Sequence, residues 1–191
     1  MGLALINEVL NSYEYQEKYK ILEQEIYKLL ISNCKNITDF NWFTTLPLYQ
    51  YPGASTFFSQ LRTLDIECNQ SLASEKLLGM AQICQNIENL KICNNENGDV
   101  HDNEIICDEV LNVLSNYSSK TFEEFSFNSN WYFSVNGLQN FFESWRGKKP
   151  IKFVTHFDKC RQFTEEHIKI VKKYYDEGVI DKETKYLFGV K

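Results

Sequence analysis

The amino-acid sequence predicts an α/β solenoid in which short parallel strands alternate with helices. Two observations predict it: an apolar phrase that recurs along the chain, and helical periodicity in the segments between its copies. The clearest copy of the phrase reads C-x-x-I-x-x-L-x-I and runs from Cys84 to Ile92. A single copy cannot bury its own apolar side chains, so neighbouring copies are expected to stack.

The copies recur at a nearly regular spacing. Their first apolar residues are Ile37, Leu61, Ile87, Phe122 and Pro150, which gives steps of 24, 26, 35 and 28 residues. Units of roughly 20–29 residues with L-x-x-L-x-L spacing are typical of leucine-rich repeats. We therefore predict about five repeats over residues 34–160, arranged as a partial horseshoe with a parallel sheet on the concave side and helices on the convex side.

Each copy is expected to contain one short strand. Leu64-Asp65-Ile66 and Leu90-Lys91-Ile92 alternate apolar and polar residues, and a period of two places these on opposite faces of a strand. Stacked in register, the copies would place the same inward position side by side on neighbouring strands. That position holds Phe40, Leu64, Leu90 and Phe125.

The segments between the strands follow a different period. Apolar residues three or four apart predict helices over 74–83, 105–114 and 138–145, each packing its apolar stripe onto the sheet. The longest step contains residues 94–103, which are rich in turn formers and predict a loop. Residues 44–56 hold two prolines and a glycine, so an irregular back is expected for the first repeat.

The two terminal segments are expected to differ from the repeats within one domain of 191 residues. Residues 1–33 predict an amphipathic helix that acts either as a cap or as the back of an incomplete repeat. Its apolar stripe consists of Tyr15, Tyr19, Leu22, Ile26 and Leu29. Residues 161–191 predict a capping helix and tail, with Thr164 as the N-cap and Gly178 as the stop.

Composition and charge exclude several classes of protein. Residues 1–145 hold 19 of the 26 acidic residues but only 8 of the 20 basic ones, which argues against nucleic-acid binding. No apolar run approaches the roughly 18 residues of a membrane span, and no secretory signal is recognised, so we expect no membrane partner and a cytoplasmic or nuclear location. The six cysteines are accordingly expected to be reduced structural thiols.

Candidate catalytic and metal-binding residues are few. His156, Asp158 and Cys160 lie within five residues, a spacing that suits neither a nucleophile–base pair nor a zinc site. The phrase Glu165-Glu166-His167 lacks the second histidine of a zinc-protease helix. We therefore expect no enzyme activity, no metal and no cofactor. A thiol-dependent enzyme acting through Cys160 or Cys93 is the alternative.

The outward strand positions are expected to form columns across the sheet. One predicted column holds Asn41, Asp65, Lys91, Ser126 and Val154; a second holds Asp39, Thr63, Asn89, Glu124 and Lys152; a third holds Phe43, Glu67, Cys93, Asn128 and His156. This concave face is interpreted either as a protein-binding surface or as the solvated side of a sheet. The predicted binding residues are Asn41, Phe43, Arg62, Asp65, Glu67, Asn89, Lys91 and Glu124.

Several phrases resemble a known family. The C-x-x-I-x-x-L-x-I phrase and the units near 26 residues resemble the cysteine-containing leucine-rich repeats of F-box proteins. The phrases Tyr15–Tyr27, Tyr51–Thr56 and Met80–Cys84 resemble more specifically the large fungal set of F-box-like repeat proteins. The resemblance implies the substrate-recognition part of a ubiquitin-ligase adaptor, whose repeats hold a protein target.

The F-box phrase itself is not recognised. No L-P-x-E-I-L phrase precedes Leu22, and Leu46-Pro47-Leu48 lies inside the repeats. Docking on the Skp adaptor is therefore expected only if an F-box lies upstream. The sequence predicts a non-catalytic protein-binding module, with a generic repeat scaffold or a degenerate fragment without a ligase role as alternatives.

Overall fold

The structure is a computed structural model that describes residues 2–68, 73–81, 83–94, 100–118, 120–127, 133–155 and 164–184. Within these ranges the chain is an α/β protein with five strands and six α-helices. The strands are β1 (Asp39–Trp42), β2 (Thr63–Cys68), β3 (Asn89–Asn94), β4 (Glu124–Phe127) and β5 (Lys152–Thr155). The helices are α1 (Gly2–Asn33), α2 (Ala54–Phe58), α3 (Ala73–Ala81), α4 (Val100–Tyr117), α5 (Val135–Ser144) and α6 (Glu165–Asp176).

The five strands form one parallel sheet in the order β1-β2-β3-β4-β5. Phe40 pairs in register with Leu64, Leu64 with Leu90, and Leu90 with Phe125. The strand positions and their register are therefore as predicted from the alternation of apolar residues. Because each strand pairs with the next one in the chain, a helical connection lies between every two neighbouring strands.

The core lies between the sheet and the helices and is rich in aromatic rings. Phe153 on β5 lies 5.9 Å from the ring of Phe125 on β4 and 5.0 Å from the ring of Phe142 on α5, measured between ring centroids. Phe125, Phe142 and Phe153 are all fully buried. Aromatic side chains thus occupy inward positions where the repeat phrase elsewhere has leucine and isoleucine.

Helix α1 forms as predicted, but its predicted apolar stripe does not pack on the core. The five side chains of the stripe are between 52% and 69% exposed. The residues that contact the core are Tyr27, Leu30 and Ile31, on a different face of the helix. The periodicity of the stripe was sufficient to predict a helix, but a helical period does not determine which apolar face the rest of the chain covers.

The back of the first unit is irregular up to Gly53, as expected, with a 3₁₀ turn at Leu48–Gln50. Helix α2 then begins at Ala54, inside the segment predicted to be irregular. Gly53 has a φ of 88°, and a Cβ there would lie 3.1 Å from the carbonyl oxygen of Ile31 on α1. Glycine therefore permits both the turn and the close approach of the two helices.

Two other predictions are wrong in detail. The loop predicted over 94–103 is too long, because β3 extends to Asn94 and α4 already begins at Val100; acidic residues such as Asp102 suit the first turn of a helix. Pro150 is exposed, and Ile151 is buried in its place. The reason is that Ile151 forms a β-bridge with Ile180.

The C-terminal segment covers the edge strand β5. The backbone N–H of Ile151 donates to the carbonyl oxygen of Val179 at 3.0 Å, and Tyr174 of α6 is fully buried against α5. Thr164 is the N-cap of α6, and Gly178 follows the helix with a φ of 74°. Both helix boundaries are as predicted.

Candidate functional site

The candidate site is the side of the sheet that faces away from the helices, here called the polar sheet face. It consists of the outward strand residues Asp39, Asn41, Thr63, Asp65, Glu67, Asn89, Lys91, Cys93, Glu124, Ser126, Lys152 and Val154. The strands place these side chains in rows because alternate residues of a strand point to opposite faces.

The first two predicted columns occur in the structure, and the third occurs in part, because β1 and its register with β2 end at Trp42, before Phe43. Asp39, Thr63, Asn89, Glu124 and Lys152 are register partners from β1 to β5, and Asn41, Asp65, Lys91, Ser126 and Val154 form the parallel row. Glu67 pairs with Cys93 in the third row. Asn128 and His156, which were predicted to continue that row, lie outside the described residues.

An ion pair crosses the centre of the face. The Nζ atom of Lys91 lies 3.8 Å from Oδ2 of Asp65 on the neighbouring strand, and both side chains are partly exposed. Such an exposed pair contributes about 0.2–1 kcal/mol to stability. The two residues therefore keep most of their capacity to interact with a charged partner.

Arg62 lies just before β2 and does not belong to a column. Its Nη1 atom donates to Oε1 of Glu88 at 2.8 Å, and Glu88 holds the position just before β3. Glu88 was not predicted as a site residue. The signal was their separation of 26 residues, which equals the step between Leu61 and Ile87, the residues that directly precede them.

The backbone carbonyls at this position form a regular series. The carbonyl oxygen of Thr38 accepts from the N–H groups of Arg62 and Thr63, at 2.8 and 2.9 Å. The carbonyl of Arg62 accepts in the same way from residues 88 and 89, and that of Glu88 from residues 123 and 124. The same two-donor hydrogen bond thus recurs at the entry of three successive strands.

Asp39 lies on β1 at the edge of the face. Its Oδ2 atom accepts from the hydroxyl of Thr38 at 2.7 Å. Hydrogen bonds from Thr38 and Thr63 hold the pKa of the Asp39 carboxyl below its usual value. Asp39 is therefore ionised at neutral pH, and with Asp65 and Glu67 it makes the β1–β2 side of the face acidic.

Among the described residues, Phe43 is the largest exposed apolar residue beside the face. It follows β1 by one residue, and its side chain is 59% exposed. Aromatic and arginine side chains are enriched among the residues that contribute most to protein binding. Since Arg62 is already paired with Glu88, Phe43 is the better candidate for an anchor.

Neither Cys93 nor Cys84 is an activated thiol. Burial raises the pKa of the Cys93 thiol, and the nearby carboxylates Asp65 and Glu67 raise it further, while Lys91 lowers it. Burial raises the pKa of the Cys84 thiol to about 12. A raised pKa keeps a thiol protonated and unreactive at neutral pH. Cys160, His156 and Asp158 lie outside the described residues.

The described residues contain no group of three or more His, Cys, Asp or Glu side chains placed to hold a metal ion. No helix among them is both long enough and apolar enough to cross a bilayer.

Two clusters away from the face were not predicted from the sequence. Lys76 on α3 is buried, and its Nζ atom donates to the carbonyl oxygens of Thr44 at 2.7 Å and Glu67 at 3.2 Å. Tyr174 on α6 donates its hydroxyl proton to Glu143 on α5 at 2.6 Å. Lys76 and Thr44 are 32 positions apart, and Tyr174 and Glu143 are 31 positions apart. A local sequence pattern carries no signal for such contacts.

Comparison of the chain with models of protein families, with curated proteins and with solved structures found no match.

Proposed function

We propose that this chain is a leucine-rich-repeat solenoid that binds a protein partner on its polar sheet face without catalysing a reaction. The observation that carries the proposal is the repeated geometry of the face. Strands follow one another in chain order, and the same two-donor hydrogen bond recurs at the carbonyls of Thr38, Arg62 and Glu88. In a stacked repeat of this kind, outward residues form a continuous surface suited to an extended contact.

The chemistry of the face favours binding over catalysis. Its side chains are mainly carboxylates, amides and lysines, and the thiol of Cys93 has a raised pKa. The acidic β1–β2 side lies next to the exposed ring of Phe43. A partner segment that combines a basic group with an apolar side chain would complement that side, because opposite charges steer association and an aromatic anchor supplies affinity.

The resemblance to F-box-like repeat proteins supports a more specific role. Under this proposal the chain is the substrate-recognition part of a ubiquitin-ligase adaptor, and the partner on the polar sheet face is the target protein. Contact with the Skp adaptor would then be made by an F-box outside the repeats. Purified Skp adaptor can be tested directly for binding; a chain that binds a target but not the adaptor would be a generic scaffold.

Partner binding can be tested with two matched truncations of exposed apolar residues. The purified chain, Phe43→Ala and Leu78→Ala are each used to enrich partners from extracts of the cells that make the protein. Leu78 is exposed on α3, on the helical side of the sheet. We expect Phe43→Ala to weaken the binding of a specific partner by tenfold or more, the effect of losing about 1.4 kcal/mol, and Leu78→Ala to leave it unchanged.

A charge exchange tests the face independently. Asp65→Lys combined with Lys91→Asp keeps an ion pair between β2 and β3 but reverses its direction. We expect this variant to fold normally and to lose the partner that Phe43→Ala loses. Partners that bind the wild-type chain and both face variants equally well would show that binding occurs elsewhere, and the proposal would be wrong.

A further inference from the structure

The two edge strands of the sheet, β1 and β5, are covered differently. Next to β5, the chain itself supplies α6 and Ile180, and both Tyr174 and Ile180 are fully buried. Next to β1 lies α1, which contacts the core only through Tyr27, Leu30 and Ile31 among its described side chains. A different face of α1 is apolar and exposed, so an uncovered apolar surface lies beside the β1 edge of the sheet.

That surface, here called the α1 stripe, consists of Tyr15, Tyr19, Leu22, Ile26 and Leu29, each more than half exposed. The residues are four, three, four and three positions apart. This is the spacing of the two apolar positions of a coiled-coil heptad, which forms a seam that another helix fills. An exposed contiguous apolar patch on a folded domain marks an interaction site.

We propose that the α1 stripe is a dimer interface, on which a second copy of this chain packs its own stripe in the antiparallel direction. The interface is separate from the polar sheet face and does not depend on the function proposed for that face. Two identical seams related by a twofold axis form a self-complementary contact, which is the commonest geometry of homodimers.

The side-chain volumes of the stripe favour the antiparallel direction. One antiparallel register places Tyr15 against Ile26 of the partner subunit and Tyr19 against Leu22 of the partner subunit. By symmetry the other two layers repeat these pairs, so the four layers formed by Tyr15, Tyr19, Leu22 and Ile26 each combine one tyrosine with one branched aliphatic residue. Leu29 lies beyond these four layers. A parallel, in-register pair would instead stack tyrosine on tyrosine at one end and aliphatic on aliphatic at the other, which packs less evenly.

The charges beside the stripe agree with the same register. Lys18 and Glu25 lie seven residues apart on the same flank of the seam. In the antiparallel register Lys18 faces Glu25 of the partner subunit, and Glu25 faces Lys18 of the partner subunit, which gives two attractive contacts. Glu25 already pairs with Lys28 at 2.7 Å, and Lys18 also has a contact within its own chain. Because these side chains are exposed, such contacts compete only weakly.

Sedimentation equilibrium of the full chain in reducing buffer tests the proposal. We expect a reversible dimer, and we expect Leu22→Glu to raise its dissociation constant about a hundredfold or more, because the change places two carboxylates in the seam. Leu78→Glu makes the same change at an exposed leucine outside the stripe and should leave the dimer intact. Far-UV circular dichroism should show both variants folded, since both side chains are exposed.

A second pair of variants tests the direction of the helices. Lys18→Glu should weaken the dimer, and Lys18→Glu combined with Glu25→Lys should restore it, because the exchange re-forms both antiparallel contacts. In a parallel dimer Lys18 would face Glu23 of the partner subunit, and the double variant would stay weak. A wild-type chain that remains monomeric at high concentration, a dimer that Leu22→Glu leaves intact, or a double variant that fails to recover would each overturn the proposal.

Discussion

Leu90 and Lys91 are adjacent residues of β3 with opposite structural roles. Leu90 is 4% exposed and lies between Leu64 and Phe125 on the neighbouring strands. Lys91 points to the polar sheet face and lies 3.8 Å from the carboxylate of Asp65. The difference follows from the two-residue period of a strand, so the same substitution at the two positions should have very different effects.

We expect Leu90→Asp to lower the free energy of unfolding by at least about 4 kcal/mol, because it buries an unpaired carboxylate and leaves a cavity. Lys91→Asp should lower it by less than about 1 kcal/mol, since it replaces an exposed attraction with an exposed repulsion. Urea denaturation followed by circular dichroism measures both. Similar losses for the two variants would mean that the strand faces are assigned wrongly.

At the scale of helices and strands, the contact between α5 and α6 depends on the carboxylate of Glu143. Glu143 on α5 accepts from Tyr174 on α6 at 2.6 Å and pairs with Arg146, which also pairs with Glu177 at 2.5 Å. Hydrogen bonds from Arg146 and then Tyr174 hold the pKa of Glu143 at about 2, below its ordinary value of 4.5. Ionisation of this carboxyl group therefore stabilises the folded chain.

This pKa predicts how the α5–α6 contact responds to acid. A group whose pKa is lower in the folded chain contributes stability above its unfolded pKa, and that contribution is lost as the pH falls through its folded pKa. We expect Glu143→Gln to lower the melting temperature most at about pH 7, with the difference from wild type shrinking towards about pH 3. A difference that stays constant over that range would show that ionisation of Glu143 does not contribute.

At the same scale, the positions of helices and strands could be predicted from the sequence better than the contacts between them. The strands were predictable because Leu64-Asp65-Ile66 and its counterparts alternate within three residues, and α6 because Thr164 and Gly178 mark its boundaries locally. The exposure of the α1 stripe was not predictable, because an apolar helical face looks the same whether or not the chain covers it. The buried position of Lys76 depends on carbonyls of residues 44 and 67, which no local pattern specifies.

The polar sheet face was predictable to the same extent as the strands. Asn41, Asp65, Lys91 and Ser126 lie where the repeat spacing placed them, because a constant register carries one outward position from strand to strand. The pairing of Arg62 with Glu88 was missed because both precede their strands. The charge and polarity of a complementary partner could not be predicted, because they depend on which of these side chains remain exposed after pairing with one another.

On the scale of the whole molecule, one continuous core extends from the β1 edge of the sheet to the β5 edge. It includes Ile31 of α1, the inward residues of every strand, and Ile180 beyond α6. Each strand is hydrogen-bonded to its neighbours, so unfolding one unit would expose the apolar faces of the next. A sheet and core coupled in this way should unfold in a single step.

We therefore expect fluorescent probes near the β1 edge and near the β5 edge to report the same unfolding transition. Trp42 on β1 and Trp145 at the end of α5 are both buried, and each can be isolated as the fluorophore by replacing the other tryptophans with phenylalanine. Within each variant, the urea midpoint from fluorescence should coincide with that from far-UV circular dichroism, the mark of two-state unfolding. If Trp42 reports a lower midpoint than circular dichroism does, the β1 side unfolds first. The exposed α1 stripe would then lower the stability of the β1 edge in the monomer, and a second copy would restore it. The difference between the two midpoints should therefore decrease as protein concentration rises, because dimerisation stabilises the folded state by mass action.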